Sequence, residues 1–163
     1  MKIIIVDEND NEIGFKERGE LDYNEDIYRV FRLWIINEGK SLVAKRSLNK
    51  SHHPGKWGSA VAGTVDEGKT YGSNIVKETE KELGLKNINF KKFFKEFIGN
   101  NYRHFTQWFI LEEKIDLEKL KLKEDEVEEV RWFDLEEVRD LIKTNKTVTL
   151  SDELTKRLEE NEI

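Results

Sequence analysis

Apolar residues recur along the chain with two periods, and the change between them marks out its elements. KIIIV (2–6) is a short apolar run followed by the polar stretch DENDNEIG, which predicts an N-terminal β-hairpin. RVFRLWIIN (29–37) is β-branched and aromatic, NEGK turns the chain, and SLVAKR (41–46) resumes the strand pattern, predicting a second hairpin. SLNKSHHPGKWG (47–58) holds the only proline with two glycines and two histidines, so it predicts an exposed loop of the kind that binds ligands. SAVAGTV (59–65) is small and apolar, which lets another backbone or a ligand approach closely.

From Thr70 to Leu83 the period changes. Ile75, Val76, Thr79 and Leu83 fall on one helical face, and Gly84 supplies a left-handed stop. INFKKFFKEFIG (88–99), a GNN turn and YRHFTQWFILEE (102–113) predict a third hairpin, and VRWFD follows the acidic lead of KEDEVEEVRWF (123–133) as a further strand. DLEEVRDLIKTN (134–145) and SDELTKRLEEN (151–161) are amphipathic helices, with Asp134 and Ser151 placed as N-caps. Hairpins mixed with three helices make an α+β domain. No repeat, linker or low-complexity segment divides it, so the expectation is a single domain over residues 1–163, with 1–27 as an N-terminal hairpin extension.

Composition narrows the chemistry. A length of 163 residues, 37% hydrophobic and 38% charged, supports one core under a heavily charged surface. The net charge of −6 gives no general attraction for nucleic acid or anionic membrane, so a phosphate ligand needs a local cluster of Lys and Arg or a metal ion. The absence of cysteine excludes disulfides, thiolate zinc sites and cysteine nucleophiles, and fits a reducing compartment. The apolar run Ile3 to Val6 is too short for a signal-peptide core or a membrane span, so a cytoplasmic protein is expected. The expected partner is a small molecule, with neither nucleic acid nor membrane, and a homodimer is left open.

KETEKELG (77–84) carries the sharpest chemical signal. Its charges sort into like-sign pairs one turn apart, Lys77 with Lys81 and Glu78 with Glu82, where helix stability alone favours opposite signs. Glu78 and Glu82 lie at the edge of the Ile75/Thr79/Leu83 stripe, about 40° apart around the axis. Carboxylates at the rim of a buried stripe suit a hard cation, and magnesium takes oxygen ligands while keeping waters and sharing substrate phosphates. Taken alone, the pair also fits an ordinary solvated face.

The wider segment GTVDEGKTYGSNIVKETEKELGL (63–85) resembles the Nudix box, G-x5-E-x7-R-E-U-x-E-E-x-G-U, with Gly63, Glu78, Glu82, Gly84 and Leu85 on the pattern. The likeness extends from RVFRLWIIN to VRWFDLEEV, roughly residues 28 to 142. It implies the Nudix fold, a mixed β-sheet sandwiched between helices, and Mg2+-dependent hydrolysis of a nucleoside diphosphate linked to another group X or of a related diphosphate, with Mn2+ as a substitute ion. The implied metal ligands are Glu78, Glu82, the main-chain carbonyl of Ala62 and a carboxylate from EDEVEE, Glu126 or Glu129. Glu78 and Glu82 are the implied catalytic residues, Glu78 also as a candidate base. Arg46, Lys50 and Lys56, in and beside the loop, are candidates to hold phosphates. The box departs from the pattern at Lys69, Lys77, Thr79 and Lys81, which replace a Glu, an Arg, an aliphatic residue and a Glu.

Two other functions compete. RSLNKSHHPGKWGSAVAGT also resembles the isopentenyl-diphosphate isomerase subgroup, but by resemblance that enzyme needs a cysteine just before the box glycine and a nearby histidine, where this chain has Ala62 and Thr64, and it carries two glutamates where Tyr102 and His104 stand. The other rival is a Nudix-fold module that senses a nucleotide without turning it over, with Lys69, Lys77 and Lys81 supplying charge in place of an ion. Adjacent His52 and His53, read as strand-like, would point in opposite directions and are poor ligands for magnesium. Trp34, Trp57, Trp108 and Trp132 read as core, and Arg103 and His104 are candidates to line the cleft.

Overall fold

The structure, a computed structural model, describes residues 1–148 and 150–160. Strand β3 (Ile27–Asn37) organises it. It pairs antiparallel with β1 (Ile3–Val6) at its start, with β6 (Val61–Thr64) along its middle and with β4 (Lys40–Arg46) at its end. Strand β8 (His104–Glu112) runs parallel to it from Tyr28↔His104 to Ile36↔Glu112. Strands β2 (Glu12–Lys16), β5 (Trp57–Ser59), β7 (Lys91–Ile98) and β9 (Val127–Asp134) extend the sheet by pairing with β1, β4, β8 and β4. Among the described residues this is one mixed sheet of nine strands. All three expected hairpins form.

The β-branched and aromatic run of β3 is buried on both faces, which explains its near-continuous hydrophobicity. Phe31, Leu33 and Ile35 join a core with Ile75 and Leu83 of helix α1 (Tyr71–Leu83). Trp34 and Ile36, of opposite parity, join a second core with Val138 of α2 (Leu135–Lys143) and Leu154 and Leu158 of α3 (Asp152–Glu160). The sheet is therefore sandwiched between α1 and the α2/α3 pair. Trp34 and Trp108 are fully buried and Trp57 is buried beside them, so these tryptophans are core, as the sequence suggested.

The helix boundaries follow their caps. Thr70 accepts from the Ser73 amide and Gly84 ends α1 at φ 74°. Asp134 and Glu137 form a reciprocal capping box on α2. Ser151 Oγ accepts from the Leu154 amide, and the helix expected over 151–161 spans Asp152–Glu160, with residue 161 outside the described residues. One expectation for α1 is corrected: Val76 is 50% exposed, and Asn74 takes the buried position. Its amide donates to the Thr64 carbonyl at 3.3 Å, so a polar group fills the place by tying the helix to β6.

The N-terminal extension is stitched into the domain. Asp10, left-handed at φ 63° in the β1–β2 turn, accepts from Arg29 Nε at 2.7 Å, Tyr71 Oη at 3.0 Å and Lys95 Nζ at 2.6 Å. One carboxylate thus joins the hairpin to β3, α1 and β7. Farther on, a 3₁₀ turn at Arg18–Glu20 reaches β6, where Arg18 Nη1 approaches Thr64 Oγ1 at 3.4 Å.

Candidate active site

Strand β6 brings the box against the centre of the sheet. Gly63 pairs with Phe31 and Ala62 with Arg32, so the segment before α1 lies beside the middle of β3. Helix α1 then carries Glu78 and Glu82, both half-buried, along the edge of this surface. The stretch just before β9 brings Glu126 opposite, and Glu82 and Glu126 together line a narrow cavity of about 110 Å³ with Arg32, Lys45, Arg46 and Ala62.

Electrostatics single out Glu82. Burial lifts its carboxyl from 4.5 to about 8, and the neighbouring charges of Glu78 and Glu126 push in the same direction against the opposing pull of Lys50 and Lys81. Glu78 stands beside Glu82 but does not line the cavity. Lys50 donates to Glu126 at 2.5 Å and partly offsets the acidic charge. Glu129, the other candidate of the acidic lead, pairs instead with Arg131 at 3.1 Å.

Arg32, Arg46 and Ala62 also line a wider cavity of about 230 Å³, open to the same cleft. Its walls include Arg18 and Tyr23 from the N-terminal extension, Tyr28 of β3, His52 and His53 from the loop, and Tyr102 and His104 at the start of β8. Arg46 is held by Nε donation to the His52 carbonyl at 3.0 Å, and burial draws its guanidinium below its ordinary value. Arg32 is drawn down to about 10 by burial and lies over the Trp108 ring at 5.8 Å.

The structure thus gathers Arg46, Ala62, Glu82 and Glu126 around the narrow cavity, with Lys50 outside its lining but paired with Glu126 and Glu78 at the margin. It does not bring Lys56 to either cavity: that amine donates to the Asn145 carbonyl at 2.5 Å. His52 and His53 do not alternate as on a strand. His53 has φ 52° in an irregular loop, and both residues line the wide cavity. Arg103 donates to the Glu25 carbonyl at 3.1 Å and is absent from the lining, whereas His104 is part of it. Arg32, Arg18, Tyr23 and Tyr28 were not anticipated. Arg32 alone left a signal, a cation inside an otherwise apolar stretch of central strand.

The donor set fits a hard divalent cation. Glu82 and Glu126 line one cavity with Ala62 of β6, and the charges of Glu78 and Glu126 raise the cost of ionising Glu82. Among the described residues no three acidic, histidine or cysteine side chains stand close enough to enclose an ion by themselves. A hard divalent ion at such a place takes the rest of its shell from waters and substrate oxygen.

The NUDIX domain model matches residues 27–156. The chain belongs to the Nudix family. An uncharacterized Nudix hydrolase of Pseudomonas aeruginosa is 31% identical over 144 residues, covering 83% of this chain and 82% of that protein. The isopentenyl-diphosphate Delta-isomerase of Citrobacter koseri is 28% identical over 145 residues, covering 83% and 78%. A Deinococcus radiodurans crystal structure superposes with a TM-score of 0.80 at 18% identity, covering 98% of each chain, and so shares the fold along nearly its whole length. The chain thus stands among the Nudix hydrolases, whose members generally use divalent metal ions and bind nucleotide-like molecules. No helix among the described residues is long and apolar enough to cross a membrane.

Proposed function

We propose that this Nudix hydrolase cleaves a diphosphate, a nucleoside diphosphate linked to another group X or a related compound, with Mg2+ as its ion and Mn2+ as a substitute. The observation that carries the reading is the meeting of opposite chemistries at one seam. Glu82 and Glu126 occupy the narrow cavity, and Arg32 and Arg46 stand where it joins the wide one.

Glu82, Glu126, Glu78 and the Ala62 carbonyl would hold the ion, which neutralises phosphate charge and lowers the pKa of water. Arg46 and Arg32 face the diphosphate and fix its orientation against the carboxylates. Glu78, beside Glu82 at the margin of the cavity, would serve both as a ligand and as the acceptor of the proton of the attacking water. Lys50, paired with Glu126, would temper the acidic charge around the ion. Isomerase chemistry is disfavoured because Ala62 stands where, by resemblance, that reaction needs a cysteine.

The test is a panel of diphosphate compounds assayed for magnesium-dependent phosphate release, with Glu82→Gln as control. Turnover by the wild type and its loss in the variant supports the reading. Binding without release across the whole panel would favour a nucleotide sensor.

A further inference from the structure

Buried polar side chains are nearly always paired, and each exception asks for a partner. Among the described residues two side-chain polar atoms are buried with none, Arg32 Nε and His104 Nε2. Both residues line the wide cavity. Arg32 is 8% exposed and His104 2% exposed.

The state of the histidine follows from its neighbour. His104 Nδ1 lies 2.5 Å from the Tyr102 carbonyl oxygen, and a carbonyl can only accept. Nδ1 therefore carries the ring proton, and Nε2 is left as a bare acceptor. Burial draws the imidazole down to about 4, and the charge of Arg32 adds to the effect, so the ring is neutral near pH 7. Tyr28 stacks on it with centroids 5.4 Å apart and fixes its plane. Among the described residues the Arg32 side chain has no ion pair and no hydrogen bond, and its guanidinium lies over the Trp108 ring.

The two orphans share one face of one strand pair. Tyr28 pairs with His104 and Arg32 with Trp108 in the parallel register of β3 and β8. Four residues at about 3.3 Å each put the two levels roughly 13 Å apart along the strands. A cation near the carboxylate cavity and an acceptor farther out match a ligand that is anionic at one end and carries an N–H or O–H at the other.

We propose that the wide cavity is the seat of the group X and selects a polar X: Arg32 takes the phosphate that joins it, and His104 Nε2 takes a hydrogen-bond donor from a sugar or base. This rests on the hydrolase reading and adds to it the class of X. An isoprenyl chain offers no donor, so it leaves the acceptor unpaired and is rejected, as a site built to bond a donor rejects analogues that lack one.

The test is equilibrium binding, which needs no turnover. Methylene-bridged ADP carrying adenosine, guanosine, cytidine or uridine as X is compared with methylene-bridged ADP, which has no X, and with its isopentenyl ester, on wild type, His104→Phe, His104→Gln and Arg32→Met. At least one analogue with a nucleoside as X should bind wild type about 10- to 100-fold more tightly than either comparison compound, the span of one buried hydrogen-bonding group left unpaired. His104→Phe should erase that margin while leaving the affinity for methylene-bridged ADP in place, which also reports a folded site. His104→Gln, which keeps an acceptor, should restore part of it, and Arg32→Met should weaken every ligand. The idea is overturned if the isopentenyl ester binds wild type as well as the best analogue with a nucleoside as X, or if the margin survives in His104→Phe. Loss of hydrolysis with this ranking intact would sink the hydrolase reading and leave the assignment of X standing.

Discussion

The tip of the Phe31 ring abuts Gly63: a Cβ built on the glycine would sit 2.5 Å from Phe31 Cζ. The ring is 1% exposed and cannot swing aside. The glycine of the box pattern is thus explained by close contact between its backbone and the core. Gly63→Ala should cost about 1–3 kcal/mol through overpacking. Phe31→Leu in the same chain should recover part of the loss, and urea midpoints of the single and double variants check this.

Glu82→Gln should abolish magnesium-dependent turnover and also the rise in melting temperature that magnesium gives the wild type. Glu129→Gln should change neither, because Glu129 is engaged with Arg131 outside the cavity. Equal effects of the two substitutions would remove Glu82 from its assigned place.

The raised carboxyl of Glu82 sets a pH dependence for the metal-free protein. Its folded value of about 8 lies above its ordinary 4.5, so the native state holds a proton that the unfolded chain has released between those limits. The contribution is complete below 4.5 and is lost as pH rises through about 8. Urea unfolding in chelator between about pH 5 and pH 8 should show stability falling, with a flatter profile in Glu82→Gln. Magnesium binding near pH 7 should release protons, which calorimetry in buffers of different ionisation enthalpy detects.

Asp10→Ala should strand three donors, Arg29, Tyr71 and Lys95, at a site where the carboxylate is 10% exposed. The Arg29 and Lys95 ends are wetter, so the expected loss is about 2 kcal/mol, below that of a fully buried pair. Thermal melts of the variant check it.

The strands, the helices and the box were legible because each has a local cause. The hydrophobic run of β3, the caps Thr70, Asp134 and Ser151 and the stop at Gly84 act within a few residues of themselves. Glu82 could be read from helix spacing, and its meeting with Glu126 was open between two glutamates until register fixed it: Arg46 pairs with Val127 across a bulge, bringing the residue before β9 to the cavity. Lys56 could not be placed, because its partner is the Asn145 carbonyl from beyond α2. The aromatic wall was hidden for the same reason, since Tyr23, Tyr28, His52 and Tyr102 meet only through the parallel pairing of β3 with β8 and the return of the loop.

Parallel pairing of β3 with β8 joins distant parts of the chain, with α1 and β7 threaded between them. Closing a loop of that length raises the contact order and makes this a slow step in folding. A growing polypeptide released only as far as α1 already owns Glu78 and Glu82 but has neither His104 nor Glu126 to set against them. The two halves of the cleft are therefore completed only once the C-terminal strands have emerged, so the carboxylates are made before the groups that would choose what they act upon.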